Sequence, residues 1–244
     1  MAIFNKFRKK DDYIEEIKAK VGCDCLLIEE KDANSIMAKY LEALKEGEKQ
    51  GYTPLIIIPS AMMVDIFETE GDKGYSPGSR DSIIEKAKDI DAKDLLKRML
   101  DEVMPLEEDY DITGEFSIED QIGHFLSIEK GINKKIIIAK IPTSKPWEVA
   151  AWVPMGGFNE CPMPEEQVAI FQHWFEKYGA IPALVDVDVW ELVVKNPPKT
   201  QEESVELAWE QFGFCSDIVW QGVGTVNALA GTLINSSTWY FWWD

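Results

Sequence analysis

With 244 residues, 45% hydrophobic and 11% aromatic, the chain can fill one large or two small cores, and disorder over most of its length is excluded. Its 44 acids against 25 Lys and Arg give a formal charge of −19, the wrong sign for neutralising phosphates. Nucleic acid is therefore excluded as a partner, and a basic protein or a cationic ligand is favoured.

The opening MAIFNKFRKK is basic but has no apolar stretch behind it, because Asp11, Asp12, Glu15 and Glu16 follow at once; it does not read as a signal peptide. No apolar run approaches the roughly 18 residues of a membrane span, so no membrane partner is expected. Cys23, Cys25, Cys161 and Cys215 show no framework spacing, which suits reduced, buried thiols and a cytoplasmic protein. Cys25 to Glu29 reads as a short strand. Ala33 to Gln50 reads as a helix behind Asp32, with Ile36, Tyr40, Leu41 and Leu44 on one stripe and Gly51 placed to end it. Pro54 to Pro59 (PLIIIP) is a continuous apolar run of strand length, the pattern of a central strand covered on both faces. Gly71 to Ser79 reads as a loop. Asp81 to Met104 carries helical periodicity through Ile84, Ala87, Leu95, Leu96, Met99 and Val103. Acidic Glu107 to Glu115 reads as a solvated loop, Phe116 to Lys130 as a helix and Lys135 to Ile141 as a strand.

All nine tryptophans then fall between Trp147 and Trp243, where fourteen acids meet three Lys and no Arg; the preceding 146 residues hold thirty acids and twenty-two bases. This contrast places a boundary near residue 146, between an N-terminal α/β part (1–146) that shares the sheet and a Trp-rich acidic domain (147–244). In the second part Glu148 to Val153 reads as a strand. Pro164 or Glu165 to Tyr178 reads as a helix closed by Gly179, and Ala180 to Val187 as a strand. Val189 to Val194 reads as a helical turn or a short strand. Thr200 and Glu203 suit a capping box for a helix ending near Gly213, and Thr225 to Leu233 reads as a further helix. In the terminal TWYFWW strand, Trp239, Phe241 and Trp243 share one face and Tyr240 and Trp242 the other.

Ala38–Phe67 and Ala169–Val194 share a grammar of helix, Gly, Pro and apolar strand, and each helix follows a candidate strand. Two related strand-helix-strand units with parallel pairing are the simplest account. The expected fold is α/β, with α+β as the alternative, on a mixed, partly parallel sheet with packed helices.

Several groups could carry chemistry, and each has a plain structural alternative. Gly222-Val-Gly224-Thr-Val-Asn227 with Asp244 is a shadow of a dinucleotide fingerprint, but its third glycine is Asn227; a turn before a packed helix explains it equally. Asp186 and Asp188, with Glu191 close behind, fall on one face of a strand, where they could hold a divalent metal or act as acid and base; strand-end acids more often cap or face water. Cys161 or Cys215 with His173 is the one thinkable nucleophile pair. Zinc held by cysteines with His124 or His173 is disfavoured, because Cys23-Asp-Cys25 is too tight for a knuckle and Cys161 and Cys215 stand alone. No cofactor or metal is expected. Trp239 and Trp243 are either core or part of an acid-ringed aromatic surface for a cation.

The series Gly156-Gly157-Phe158-Asn159-Glu160-Cys161-Pro162, Trp174-Phe-Glu-Lys-Tyr-Gly179-Ala180, Pro197-Pro198, Ala208-Trp209-Glu210-Gln211-Phe212, Cys215-Ser-Asp217 and Trp239-Tyr-Phe241-Trp242-Trp243-Asp244 resembles the bacterial family called domain of unknown function 4253, over about residues 146–244. Longer members carry a segment like Gln50-Gly-Tyr-Thr-Pro54-Leu-Ile. The resemblance implies a bacterial, cytoplasmic protein and marks Asn159, Cys161, Glu210, Cys215, Asp217 and Trp243 as motif positions, functional or fold-defining. The leading expectation is a non-enzymatic binding module, immunity-type or regulatory, that uses its acidic surface on a basic partner. The runner-up is a hydrolase or metal-dependent enzyme using Asp186/Asp188 or Cys161/His173.

Overall fold

The computed structural model of the chain describes residues 12–29, 32–72, 77–104, 111–129, 135–153 and 155–244. The elements in order are α1 (Asp12–Val21), β1 (Cys25–Ile28), α2 (Ala33–Gln50), β2 (Thr53–Ile57), α3 (Ala61–Asp72), α4 (Pro77–Ala87), α5 (Ala92–Val103), α6 (Leu126–Glu129) and β3 (Ile136–Ile141). They continue through a 3₁₀ turn (Pro146–Ala151), α7 (Pro164–Tyr178), β4 (Ala180–Val185), β5 (Val189–Val194), α8 (Gln201–Phe214), a π-helical turn (Ile218–Val223), α9 (Val226–Leu233) and β6 (Thr238–Trp242). Among the described residues no helix is long and apolar enough to cross a membrane.

The fold is α/β. Among the described residues six strands join one mixed sheet in the order β1-β3-β2-β4-β5-β6. Only β2 and β4 pair in parallel, with Ile56 opposite Leu184; the other neighbours are antiparallel. The apolar runs of β2 and β3 are covered on both sides. Leu55, Ile57, Ile137 and Ala139 join the larger core with α7 and α8, whereas Ile56, Ile58, Ile136 and Ile138 meet Ile36, Met37 and Tyr40 of α2 on the opposite face. Local chemistry sets the element ends. Asp32 accepts the Ser35 N–H at 2.7 Å to start α2, and Gly51 (φ 81°) and Gly179 (φ 62°) close α2 and α7 in the left-handed region that glycine enters without strain.

The structure corrects several expectations. Residues 148–153 are not a strand: Pro146 opens a 3₁₀ turn whose Glu148, Val149, Ala150 and Ala151 are all buried, and an apolar run this short has no period to distinguish the two. The two strand-helix-strand units fall with it. The strand before α7 is β3, which runs opposite to β2 and hence to β4, and α2 and α7 lie on opposite faces of the sheet. The periodicity over 81–104 spans two helices, divided where Asp91 accepts the Lys93 and Asp94 N–H groups and starts α5. The expected loop 71–79 shrinks, since α3 runs to Asp72 and α4 starts at Pro77; residues 73–76 lie outside the described residues.

Among the described residues of the 116–130 segment only α6 is helical. The remainder runs extended along the C-terminal part, with Glu119 N–H on Gly231 O, Ile122 N–H on Ser236 Oγ and Thr238 N–H on Ile122 O, partners that a helix would forgo. A Cβ on Gly231 would lie 1.8 Å from the Ser117 oxygen, so this close approach requires glycine. Nor is 107–115 simply solvated where it is described: Ile112 is buried and its carbonyl accepts the Val226 N–H. Helices α1 and α3 had no sequence expectation, and MAIFNKFRKK lies outside the described residues.

Candidate functional site

The Trp-rich segment folds its aromatics inward. Trp239 and Trp243 are 1% and 2% exposed, on the β6 face that meets α7 and α8, while Tyr240 and Trp242 are half-buried on the other face. Trp174 is central: it stacks on Phe241 at 5.4 Å and meets Phe214 and Trp239 edge-on. Its indole N–H donates to Glu210 Oε2 at 2.8 Å, and His173 Nε2 and Lys177 Nζ lie 3.3 and 3.7 Å from Glu210 Oε1. Burial works against the Glu210 charge, but the His173 and Trp174 hydrogen bonds and the Lys177 ammonium override it and hold the carboxyl below its ordinary value of about 4.5. With a lowered folded pKa, the stabilisation is present above the unfolded value and lost as pH falls through the folded one. Glu210→Gln should therefore lower the melting temperature near neutral pH, and the gap to wild type should close as the pH falls through the lowered folded-state value. A gap that persists unchanged in acid would show that the carboxylate charge contributes nothing.

Three further motif positions, Asn159, Cys215 and Asp217, converge on residues 242–244. Asn159 (φ 41°) and Glu160 (φ 63°) hold positive φ in succession, and Asn159 Nδ2 donates to the Asp244 backbone oxygen. Asp217 Oδ2 accepts the Asp244 N–H at 2.9 Å, and Cys215 Sγ donates to the Trp242 carbonyl at 3.0 Å. Cys161 Sγ lies 3.4 Å from Met155 Sδ and 3.7 Å from Gln167 Nε2. Burial pushes the Cys161 and Cys215 thiols up, which disarms both as nucleophiles near neutral pH, and no described hydrogen bond joins either to His173. Cys23 and Cys25, by contrast with the buried thiols expected, are half-exposed.

Asp186 and Asp188 are not on a strand face. They sit in the turn between β4 and β5, where Asp186 Oδ1 accepts the Val187 N–H and the Asp188 carbonyl accepts the Trp243 N–H. Among the described residues no cluster of three His, Cys, Asp or Glu could hold a metal ion. Glu191, their neighbour in sequence, is fully buried, and its two carboxylate oxygens accept the Leu126 and Ser127 N–H groups at 2.7 and 2.9 Å, which starts α6. The alternation of β5 could have shown this, since an acid inside VWELVV must be enclosed if both faces are.

Beside β6 lies a cavity of about 400 Å³ between Tyr240 and Trp242, Leu229 of α9, Gln211 of α8 and the π-helical turn. Three polar atoms of its lining residues, Gln211 Nε2, Thr238 Oγ1 and Trp239 Nε1, are buried and lack a hydrogen-bond partner among the described residues. No Lys, Arg or His is among the described residues of the wall, and its one carboxylate, Asp217, is engaged by Gln221 Nε2 and the Asp244 N–H. The turn closes with Gly224 N–H on Val219 O, five residues back, and Gly224 has φ 86°. Gly222 thus lies inside the helical turn and Gly224 closes it, and the element before them is α8 and not the strand that a dinucleotide site requires. Gln211 stood in a quoted motif and Thr238 opened the expected strand, but a polar residue in an apolar pattern does not reveal that its partner is missing.

No curated protein and no solved structure matches the chain. Residues 137–244 match the model of one family, beginning in β3, nine residues before the expected segment, and taking in α7 to α9, the motif loop and most of the cavity wall. This C-terminal part of the chain is a member of the family described as Domain of unknown function (DUF4253).

Proposed function

We propose that the C-terminal part is a non-enzymatic binding module whose ligand is a small, uncharged, ring-bearing molecule held in the cavity beside β6. The observation that carries this reading is the aromatic and aliphatic cavity itself, three of whose lining residues carry a buried polar atom with no hydrogen-bond partner among the described residues. The cavity falls within the range of about 300 to 1,000 Å³ usual for small-molecule sites. Two of the three atoms, Gln211 Nε2 and Trp239 Nε1, only donate, so the ligand offers acceptors such as a carbonyl or a ring nitrogen. A wall without cations, in a chain of charge −19, disfavours an anion. The hydrolase or metal-enzyme reading finds no comparable support, with both buried thiols disarmed and Asp186 and Asp188 in a turn. The four free cysteines suit a reducing compartment, and we place the protein in the cytosol.

A basic protein partner is a second reading of the same class, supported by exposed Glu202, Glu203 and Glu206 along α8; Glu206 pairs with Lys177 at 3.1 Å, and Glu203, in the capping box, accepts the Lys199 N–H at 2.9 Å. An immunity-type or regulatory role would use this face.

The cavity is tested by thermal unfolding of the whole chain with acetophenone, ethylbenzene and benzoate. Acetophenone should raise the melting temperature and bind about tenfold tighter than ethylbenzene, the factor that one or two hydrogen bonds supply. Benzoate should do nothing, and Thr232→Phe, which fills the cavity, should abolish the effect. Absence of stabilisation by either neutral probe would sink the reading.

A further inference from the structure

The N-terminal edge of the sheet carries a second chemistry, away from the cavity. Helix α1 ends at Val21, Gly22 (φ 69°) turns the chain, and Cys23 and Cys25 flank Asp24 where β1 begins. Residues two apart along a strand fall on one side, and the chain bends at Cys23. Cys25 Sγ lies 3.3 Å from the Cys23 carbonyl oxygen, folded back over its neighbour. Both thiols are half-exposed, unlike Cys161 and Cys215.

Two cations attend the pair. The Arg80 guanidinium is fixed at the end of α1, with Nη2 donating to the Lys20 and Val21 carbonyls at 2.9 Å and its carbon 5.3 Å above the Trp152 ring. Lys18, one turn back on α1, is bonded to Glu15. The interaction between the two thiols holds Cys25 below the ordinary thiol value and Cys23 above it; Lys18 assists Cys25, against burial and the charges of Asp24 and Glu15. A half-exposed thiol near cations with a second thiol in reach is the environment in which cysteine oxidises selectively.

We propose that Cys23-Asp24-Cys25 is a peroxide-sensitive dithiol in which Cys25 is the reacting thiol and Cys23 the resolving one. The Cys25 thiolate attacks one oxygen of a hydroperoxide, the O–O bond breaks, and the leaving oxygen departs as hydroxide or alkoxide and takes up a proton. The resulting Cys25 sulfenic acid is attacked by the Cys23 sulfur; the S–S bond forms as the S–O bond breaks, and the hydroxyl leaves as water with the Cys23 proton. The two sulfurs lose two electrons in total and the peroxide gains them.

The test treats the whole chain with hydrogen peroxide, blocks remaining thiols with iodoacetamide and maps the peptides by mass. The peptide holding Cys23 and Cys25 should be lighter by about 2 Da and unalkylated, recovering both labels after dithiothreitol, while Cys161 and Cys215 stay reduced. In Cys23→Ser the sulfenic acid should persist on Cys25 and be trapped by dimedone, whereas Cys25→Ser should give little adduct on Cys23. Alkylation of both thiols after a dose that oxidises glutathione would overturn the proposal, as would a disulfide confined to Cys161 and Cys215. Adducts in the reverse pattern would overturn the assignment of roles.

Discussion

Trp174→Ala is expected to destabilise the fold by about 3 to 5 kcal/mol, a large share of the roughly 5 to 15 kcal/mol that holds an ordinary domain together. The ring is fully buried and contacts Phe171, Phe214, Trp239 and Phe241, so its removal leaves a void lined by four rigid rings that cannot collapse into it. It also strips Glu210 of the indole N–H. Urea unfolding followed by circular dichroism reads the loss as a lower midpoint. Trp220→Ala, at a ring 38% exposed, is the control and should stay within about 1 kcal/mol. A Trp174→Ala midpoint no lower than that of the control would mean that the aromatic cluster is not the core.

Glu191→Leu should cost about 3 kcal/mol. The buried N–H groups of Leu126 and Ser127 both lose their acceptor, and each stranded donor costs about 1 to 3 kcal/mol, partly offset because the buried charge goes too. Glu191→Gln keeps the shape and one carbonyl acceptor, so its cost should be about half. Hydrogen exchange locates the effect: the Leu126 and Ser127 amides should lose protection before the strands do. If the Leu variant melts like wild type, the carboxylate is not what seats α6 on the sheet.

How much of this was legible in the sequence depended on whether a residue's partner was local. Helix α2, its Asp32 start and its Gly51 end follow from side chains within one turn, and the apolar runs of β2 and β3 announced strands covered on both faces. Alternation put Trp239 and Trp243 on one face, but the choice between core and aromatic surface needed the fold, which buries both. What stayed hidden depends on distant partners. The 116–130 segment has the composition of a helix, yet its backbone is satisfied by Gly231, Ser236 and Thr238, more than a hundred residues on. Asn159, Cys215 and Asp217 could be picked out as motif positions, but only the fold shows that all three bond residues 242–244. The cavity left still less trace, because an unmet donor on Gln211 is a property of empty space.

The strand order also dictates when the sheet can form during synthesis. Strands β1 and β2 leave the ribosome first but are not neighbours; each is a partner of β3, so neither has a mate until residue 141 has emerged. Strand β4, more than a hundred and twenty residues after β2, must then dock along the other edge of β2 in the slow parallel register. Until β3 emerges, the continuous apolar run of β2 has nothing to pair with. Such a nascent chain is exposed to aggregation and to chaperone capture, and the rate at which β3 arrives sets how long that exposure lasts.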